Sequence, residues 1–154
     1  MEILTEAQLT ERIAALASRW SPQPSPRGAS RDVPAAPHTT LVALDGRSGS
    51  GKSTLSARLA AQLGVAVIEG DDFYAGGTAA QWDAWTPAER AAHCIDWRCQ
   101  RPVLEALLAG RAATWHPYDW EAHDGSLTEE AVTCEPHPVV ILEGEYSLAC
   151  VTHV

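Results

Sequence analysis

Lysine is nearly absent from this chain: among 154 residues it occurs once, at position 52, and every other basic side chain is arginine. Basic charge is scarce in general. Eleven Lys and Arg against 20 Asp and Glu leave a formal net charge of -9, which argues against a surface built to offset nucleic-acid phosphates. No apolar run approaches the roughly 20 residues of a membrane helix. The N-terminus lacks the basic-then-apolar layout of a signal peptide, so no membrane partner and a cytoplasmic location are expected. Cysteine is sparse too: Cys94, Cys99, Cys134 and Cys150 form no C-x-x-C pair, and the six histidines show no zinc-ligand spacing. Reduced, mostly buried thiols are expected rather than a structural metal. The length suits one domain with a real core.

What is present centres on the one lysine. Gly46-Arg47-Ser48-Gly49-Ser50-Gly51-Lys52-Ser53-Thr54 fits the phosphate-loop pattern G-x-x-x-x-G-K-[ST] at every required position. A short apolar run, Leu41 to Leu44, precedes it, and Leu55 to Leu63 carries apolar residues at helical spacing. Strand, glycine-rich turn and helix are thus in the order that lets backbone N–H groups curl around a phosphate at a helix N-terminus. Lys52 is expected to reach the terminal phosphates and Ser53 to hold a bridging Mg²⁺. Gly46, Ser48, Gly49, Ser50, Gly51 and Thr54 complete the expected nucleotide cradle, and the expected cofactors are ATP and Mg²⁺.

Along the rest of the chain, Thr5 to Trp20 reads as an amphipathic helix, with Thr5 and Gln8 as a weak capping box. Ser21 to Thr40 is proline-rich and reads as a linker. The expected division is 1–40, helix and linker, and 41–154, the main domain. Val65 to Ile68 is the second strand, and Ala75 to Thr78 a flexible loop. Thr86-Pro87-Ala88-Glu89 starts a helix, and another spans about Asp96 to Ala109. Ala112 to Trp120 and Thr128 to Cys134 flank the turn pair Asp124-Gly125 as a hairpin. Val139 to Leu142, four apolar residues without alternation, predicts a strand covered on both faces. The pattern predicts an α/β fold of the P-loop NTPase type: a doubly wound, mostly parallel sheet with a substrate-side hairpin.

Three strands end in acids: Asp45, the pair Asp71 and Asp72, and Glu143. A loop cap is the simpler role for Asp45. The others should open onto the phosphate crevice. Phosphoryl transfer to an alcohol needs one acid at the acceptor hydroxyl and another near Mg²⁺; Asp71 or Asp72 suits the first task and Glu143 the second. Asp96 suits a helix cap and ribose-hydroxyl binding about equally. Trp115 and Trp120 suit either a stacking wall or the core.

Taken together, these residues resemble the uridine kinase-like and phosphoribulokinase-like P-loop kinases. Asp71-Asp72-Phe73-Tyr74 is similar to the family's Asp-x-Phe-Tyr motif, which carries the catalytic-base role onto Asp71 and leaves Asp72 and Tyr74 on the substrate side. Tyr118-Asp119-Trp120-Glu121-Ala122-His123 is similar to a base-contacting segment of uridine-cytidine kinases, which makes Tyr118 and His123 candidate nucleoside contacts. Leu142-Glu143-Gly144 matches the third-strand motif. The resemblance implies ATP-dependent phosphorylation of a small-molecule hydroxyl, a nucleoside foremost. The family continues beyond this strand with a lid helix carrying arginines and two more strands, whereas no arginine follows Arg111 here. A C-terminally truncated member is therefore expected, with its first strand as an exposed edge that leaves room for a homo-oligomer. The alternatives are an inactive ATP-binding module or kinase remnant, and a bare NTPase.

Overall fold

A computed structural model describes residues 4–19, 39–122 and 124–150. Trp20, most of the proline-rich segment and His123 lie outside these described residues. The elements are α1 (Glu6–Ala17), β1 (Thr40–Asp45), α2 (Lys52–Leu63), β2 (Ala66–Glu69), a 3₁₀ turn (Gly70–Phe73), α3 (Ala79–Ala84), α4 (Pro87–His93), α5 (Trp97–Leu108), β3 (Ala113–Trp115), β4 (Val132–Cys134), β5 (Val139–Gly144) and α6 (Ser147–Cys150).

The sheet is parallel, with β5 in the centre between β1 and β2. Every residue of β5 is buried, and the strand's period-two geometry divides its side chains between two cores. Val139 and Ile141 join Ile13, Leu59 and Val65 under α1 and α2. Val140 and Leu142 join Ile68, Val103, Leu104 and Leu107 under α5 and the β3–β4 hairpin. That is why the run shows no polar alternation: neither face meets water. The expected doubly wound α/β sheet is what the chain forms. β1 pairs only with β5 among the described strands and is half-buried, as expected for an edge.

Local chemistry explains the helix starts. Thr5, Thr78 and Thr86 each form a capping box with the Gln or Glu three residues on, opening α1, α3 and α4. Asp96 accepts from the Arg98 amide and caps α5. Asp45 Oδ2 accepts from the Leu148 amide at 2.9 Å, the loop-cap role expected of it. Of the four cysteines, Cys94, Cys134 and Cys150 are buried and Cys99 is exposed. Cys150 Sγ donates to Gln100 Oε1 at 2.7 Å and ties α6 to α5; burial pushes its thiol up to about 12.

The strand ends of β2 and β5 approach so closely that both need glycine. A Cβ on Gly70 would stand 3.0 Å from the Glu143 carbonyl oxygen, and one on Gly144 (φ 154°) would stand 3.2 Å from Gly70 Cα. This gives Glu69-Gly70 and Glu143-Gly144 a common reason: the acids can be neighbours only because the following residues have no side chain. Gly144→Ala is expected to cost about 1–3 kcal/mol of stability, read as a lower urea midpoint with an unchanged m-value.

Candidate active site

The phosphate loop leaves β1 at Asp45 and enters α2 at Lys52. Gly49 (φ 74°) and Gly51 (φ 87°) take the left-handed conformation, and a Cβ built on either meets nothing within 4 Å. Backbone geometry therefore demands glycine here, and the space beside it is open. α2 has no side-chain cap, unlike α1, α3, α4 and α5, and no acid in its first turn. Its first amides and its positive dipole end thus have no partner from a capping side chain.

Beside this end lies a cleft of about 530 Å³, walled by Ser48, Lys52, Glu69, Asp71, Tyr74, Trp120 and Glu145. Sequence reasoning expected Lys52 and Asp71 to meet, and they do. Asp71 sits in the 3₁₀ turn, which is pinned by buried Phe73 and by the Asp96 amide donating to the Phe73 carbonyl at 2.7 Å. Crowding by protein atoms pushes the Asp71 carboxyl above the usual range; the Lys52 ammonium pulls it back and Glu145 pushes it up. Glu69 is also raised, first by burial and then by repulsion from Asp72 and Asp71.

Glu143 continues the row of Val139 and Ile141 that faces α2, and its register partners are Leu44 and Glu69. It is 7% exposed, yet its Oε2 has no hydrogen-bond partner. A buried orphaned carboxylate oxygen is costly, and a hydrated or direct Mg²⁺ would satisfy it. An orphaned carboxylate oxygen is chemistry that suits Mg²⁺, and an open glycine cradle is chemistry that suits phosphate.

Asp72 faces a second cavity of about 460 Å³ between α5 and the hairpin, where Tyr74 and Asp96 also lie, with Val103, Trp115 and Leu127. Trp115 Nε1 donates to Asp72 Oδ2 at 2.8 Å. Tyr74 lines both cavities. Trp115 and Trp120 do not make one wall: each belongs to a different cavity. Tyr118 lines neither cavity: 2% exposed, its ring packs on Trp120 and Tyr74 with centroids 4.9 and 6.2 Å away. Asp96 is engaged by its own helix, with Arg98 Nη2 2.9 Å from Oδ2. Two residues were missed by sequence reasoning. Glu145 borders the Lys52 cleft, and Arg90 on α4 shares a cavity of about 550 Å³ with Gly46, Arg47 and Glu145. No motif marks either; only the fold brings α4 to the loop.

The fold has clear counterparts among solved structures. A protein described as a fructose transport system kinase from Silicibacter sp. TM1040 is 27% identical, with a TM-score of 0.59 over 94% of this chain and 65% of its own. The chain has the fold of the uridine kinase-like P-loop kinases. A D-glycerate 3-kinase from Cryptococcus neoformans is 18% identical (TM-score 0.55, 93% of this chain and 53% of that one). A protein described as a uridine kinase from Bacillus stearothermophilus is also 18% identical (TM-score 0.52, 91% and 69%). This P-loop kinase-like chain thus spans about one half to two thirds of the lengths of these neighbours. No protein-family model and no curated protein matches it.

Proposed function

We propose that the chain carries out ATP-dependent phosphoryl transfer to a hydroxyl of a small molecule. The observation that carries this is the meeting of Lys52, the uncapped start of α2 and Asp71 in one cleft at the carboxyl ends of parallel strands. ATP is the donor substrate and Mg²⁺ supplies neutralisation of its phosphate charge.

The loop amides from Gly46 to Thr54 and Lys52 hold the phosphates by charge-assisted hydrogen bonds. Ser53 and Glu143 would hold Mg²⁺. Asp71 orients the acceptor hydroxyl and takes its proton as the oxygen bonds to the terminal phosphorus and the bond to the departing ADP oxygen breaks. Asp72, fixed by Trp115, and Tyr74 shape the acceptor side. Arg47 and Arg90 share a cavity with Gly46 of the loop, where they add positive potential for the phosphates.

For the acceptor, the nucleoside reading rests on Tyr118 and His123. The burial of Tyr118 gives it no support from that side, while Asp72, Tyr74 and Asp96 share a cavity of a size suited to a small organic molecule. Uridine and cytidine belong in an acceptor panel beside sugars and other alcohols; label transfer from ATP to one of them tests the reading. Glu143→Gln separates function from stability. It is expected to raise the Mg²⁺ needed for half-maximal activity by about 10–100-fold, with little change in thermal stability, because the Oε2 it replaces has no hydrogen-bond partner to lose. Magnesium titration and a melting curve check both halves.

A further inference from the structure

Arg90 comes to the phosphate loop from a separate helix. It shares with Gly46 and Arg47 a cavity of about 550 Å³ whose other walls include Trp85, Glu145 and Tyr146. Ser48 and Lys52, the next loop residues to line a cavity, belong to the Lys52 cleft, and Glu145 lines both. The two cavities therefore adjoin at Glu145. In the phosphoryl-transfer reading above, on which this inference rests, the terminal phosphate held by the loop lies at that junction.

Local structure positions the guanidinium. The Thr86–Glu89 capping box and Pro87 start α4, and Arg90 Nε donates to the Trp85 carbonyl at 3.3 Å, which fixes the plane of the fork. Its Nη2 lies 3.7 Å from Asp83 Oδ1, but Asp83 is 82% exposed, so this long pair holds it weakly. An arginine carries five N–H donors, and the Nη side thus keeps donors for an anion. Burial pushes the Tyr146 hydroxyl up, Cys94 and Glu145 add to that, and the Arg90 charge pulls it back, which sets the guanidinium beside that ring. Tyr146 has φ 69°, the one non-glycine residue in the left-handed region among those described, a strain of the kind that clusters at active sites.

The junction calls for a cation. Glu145 brings a carboxylate that repels phosphate oxygens; Asp45, the other acid of this cavity, is engaged by the Leu148 amide. The line of transfer runs from the loop to Asp71 within the Lys52 cleft, so a group in the adjoining cavity meets the phosphorus from the side. There the equatorial oxygens carry the spread charge of a loose transition state.

We propose that Arg90 is a catalytic residue, its guanidinium donating to the equatorial oxygens of the phosphoryl group in transfer. The acceptor oxygen bonds to the terminal phosphorus and its proton passes to Asp71. The bond to the bridging oxygen breaks, and its electron pair leaves on ADP. Arg90 exchanges no proton; it stabilises the charge passing between the two oxygens.

The test uses the full chain in two assays. One follows label from ATP, with Mg²⁺, to nucleosides, sugars and other alcohols; the other measures binding of Mg·ADP with and without aluminium fluoride, which mimics the planar phosphoryl group. Arg90→Ala is expected to lower kcat by about 10³-fold with KM for ATP little changed, as for a contact made only in the transition state. Calorimetry should show this variant binding Mg·ADP normally while its affinity for the fluoroaluminate complex falls about 100-fold or more. Arg90→Lys keeps the charge without the fork and should fall between. Arg101→Ala, which removes an exposed arginine paired with Glu105, should behave as the wild type. Circular dichroism checks folding, since Arg90 also holds the Trp85 carbonyl; if Arg90→Ala does not fold, Arg90→Lys decides, and an undiminished kcat there overturns the proposal. Transfer by Arg90→Ala within about tenfold of the wild type also overturns it. So does an equal loss of affinity for Mg·ADP and its fluoroaluminate complex, which would mark a ground-state or structural contact. Each of these results leaves the phosphoryl-transfer reading standing. A wild type that transfers label to no acceptor sinks that reading, and this inference with it.

Discussion

Replacing Lys52 by alanine is expected to weaken Mg·ATP binding by about 100-fold or more, the loss of roughly two hydrogen bonds to charged groups. Among the described residues no arginine lines the Lys52 cleft, so none there takes over its contacts. The loop around it is built for close backbone approach, with left-handed glycines and an uncapped helix start. Those amides remain in the variant, so residual weak binding is compatible with the account. Calorimetric titration of both proteins checks it, and unchanged affinity would remove the loop as the nucleotide site. A second consequence follows for Asp71. The Lys52 ammonium holds that carboxyl down against crowding and Glu145, so Lys52→Ala should move the Asp71 pKa further up.

Asp71→Asn is expected to lower kcat by about 10²–10⁴-fold, the range of a positioned general base, while Mg·ATP binding persists. The pH profile makes the test specific. The free enzyme's Asp71 is raised above the usual aspartate value of about 3.9. It must be ionised to accept a proton, so kcat/KM should rise with pH along an acid limb lying above that value. The limb should disappear in Asp71→Asn. Glu145→Gln removes a charge that raises Asp71, and should shift the limb to lower pH. Stability carries the opposite sign to activity. A carboxyl raised on folding favours the folded state while protonated, and that advantage is lost as pH rises through the folded pKa. Asp71→Asn should therefore melt no lower than the wild type near pH 7. A variant as active as the wild type with the same acid limb would exclude Asp71 as the base.

Much of the frame was legible because local rules and tertiary packing agree here. The phosphate loop carries its own signature, and the unbroken apolar run of β5 states that both faces are covered, as they are by α1, α2 and α5. Thr5-Gln8 and Thr86-Glu89 announced real capping boxes. Thr78 and Gln81 form a third, directly after Gly76-Gly77, and open α3, for which the sequence reading expected no element. Other features have no local trace. The resemblance made Tyr118 a candidate nucleoside contact, but its ring is buried against Tyr74 and Trp120, which the motif alone does not reveal. Asp96 could have been a ligand contact or a cap by sequence; the start of α5 and Arg98 engage its carboxylate. Glu145, just after β5, and Arg90, on α4, come to share a cavity with Gly46 and Arg47 only in the folded chain, with no periodicity to reveal it.

The central claim is transfer, as distinct from binding. The most direct measurement follows the terminal phosphate of γ-labelled ATP with the full chain, Mg²⁺ and an acceptor panel of nucleosides, sugars and other alcohols, beside Asp71→Asn. The account predicts label in a phosphorylated alcohol, formed by the wild type and lost in the variant. Label released only as inorganic phosphate whatever the acceptor, or ATP bound and never turned over, would contradict it and identify the chain as an NTPase or a nucleotide-binding module.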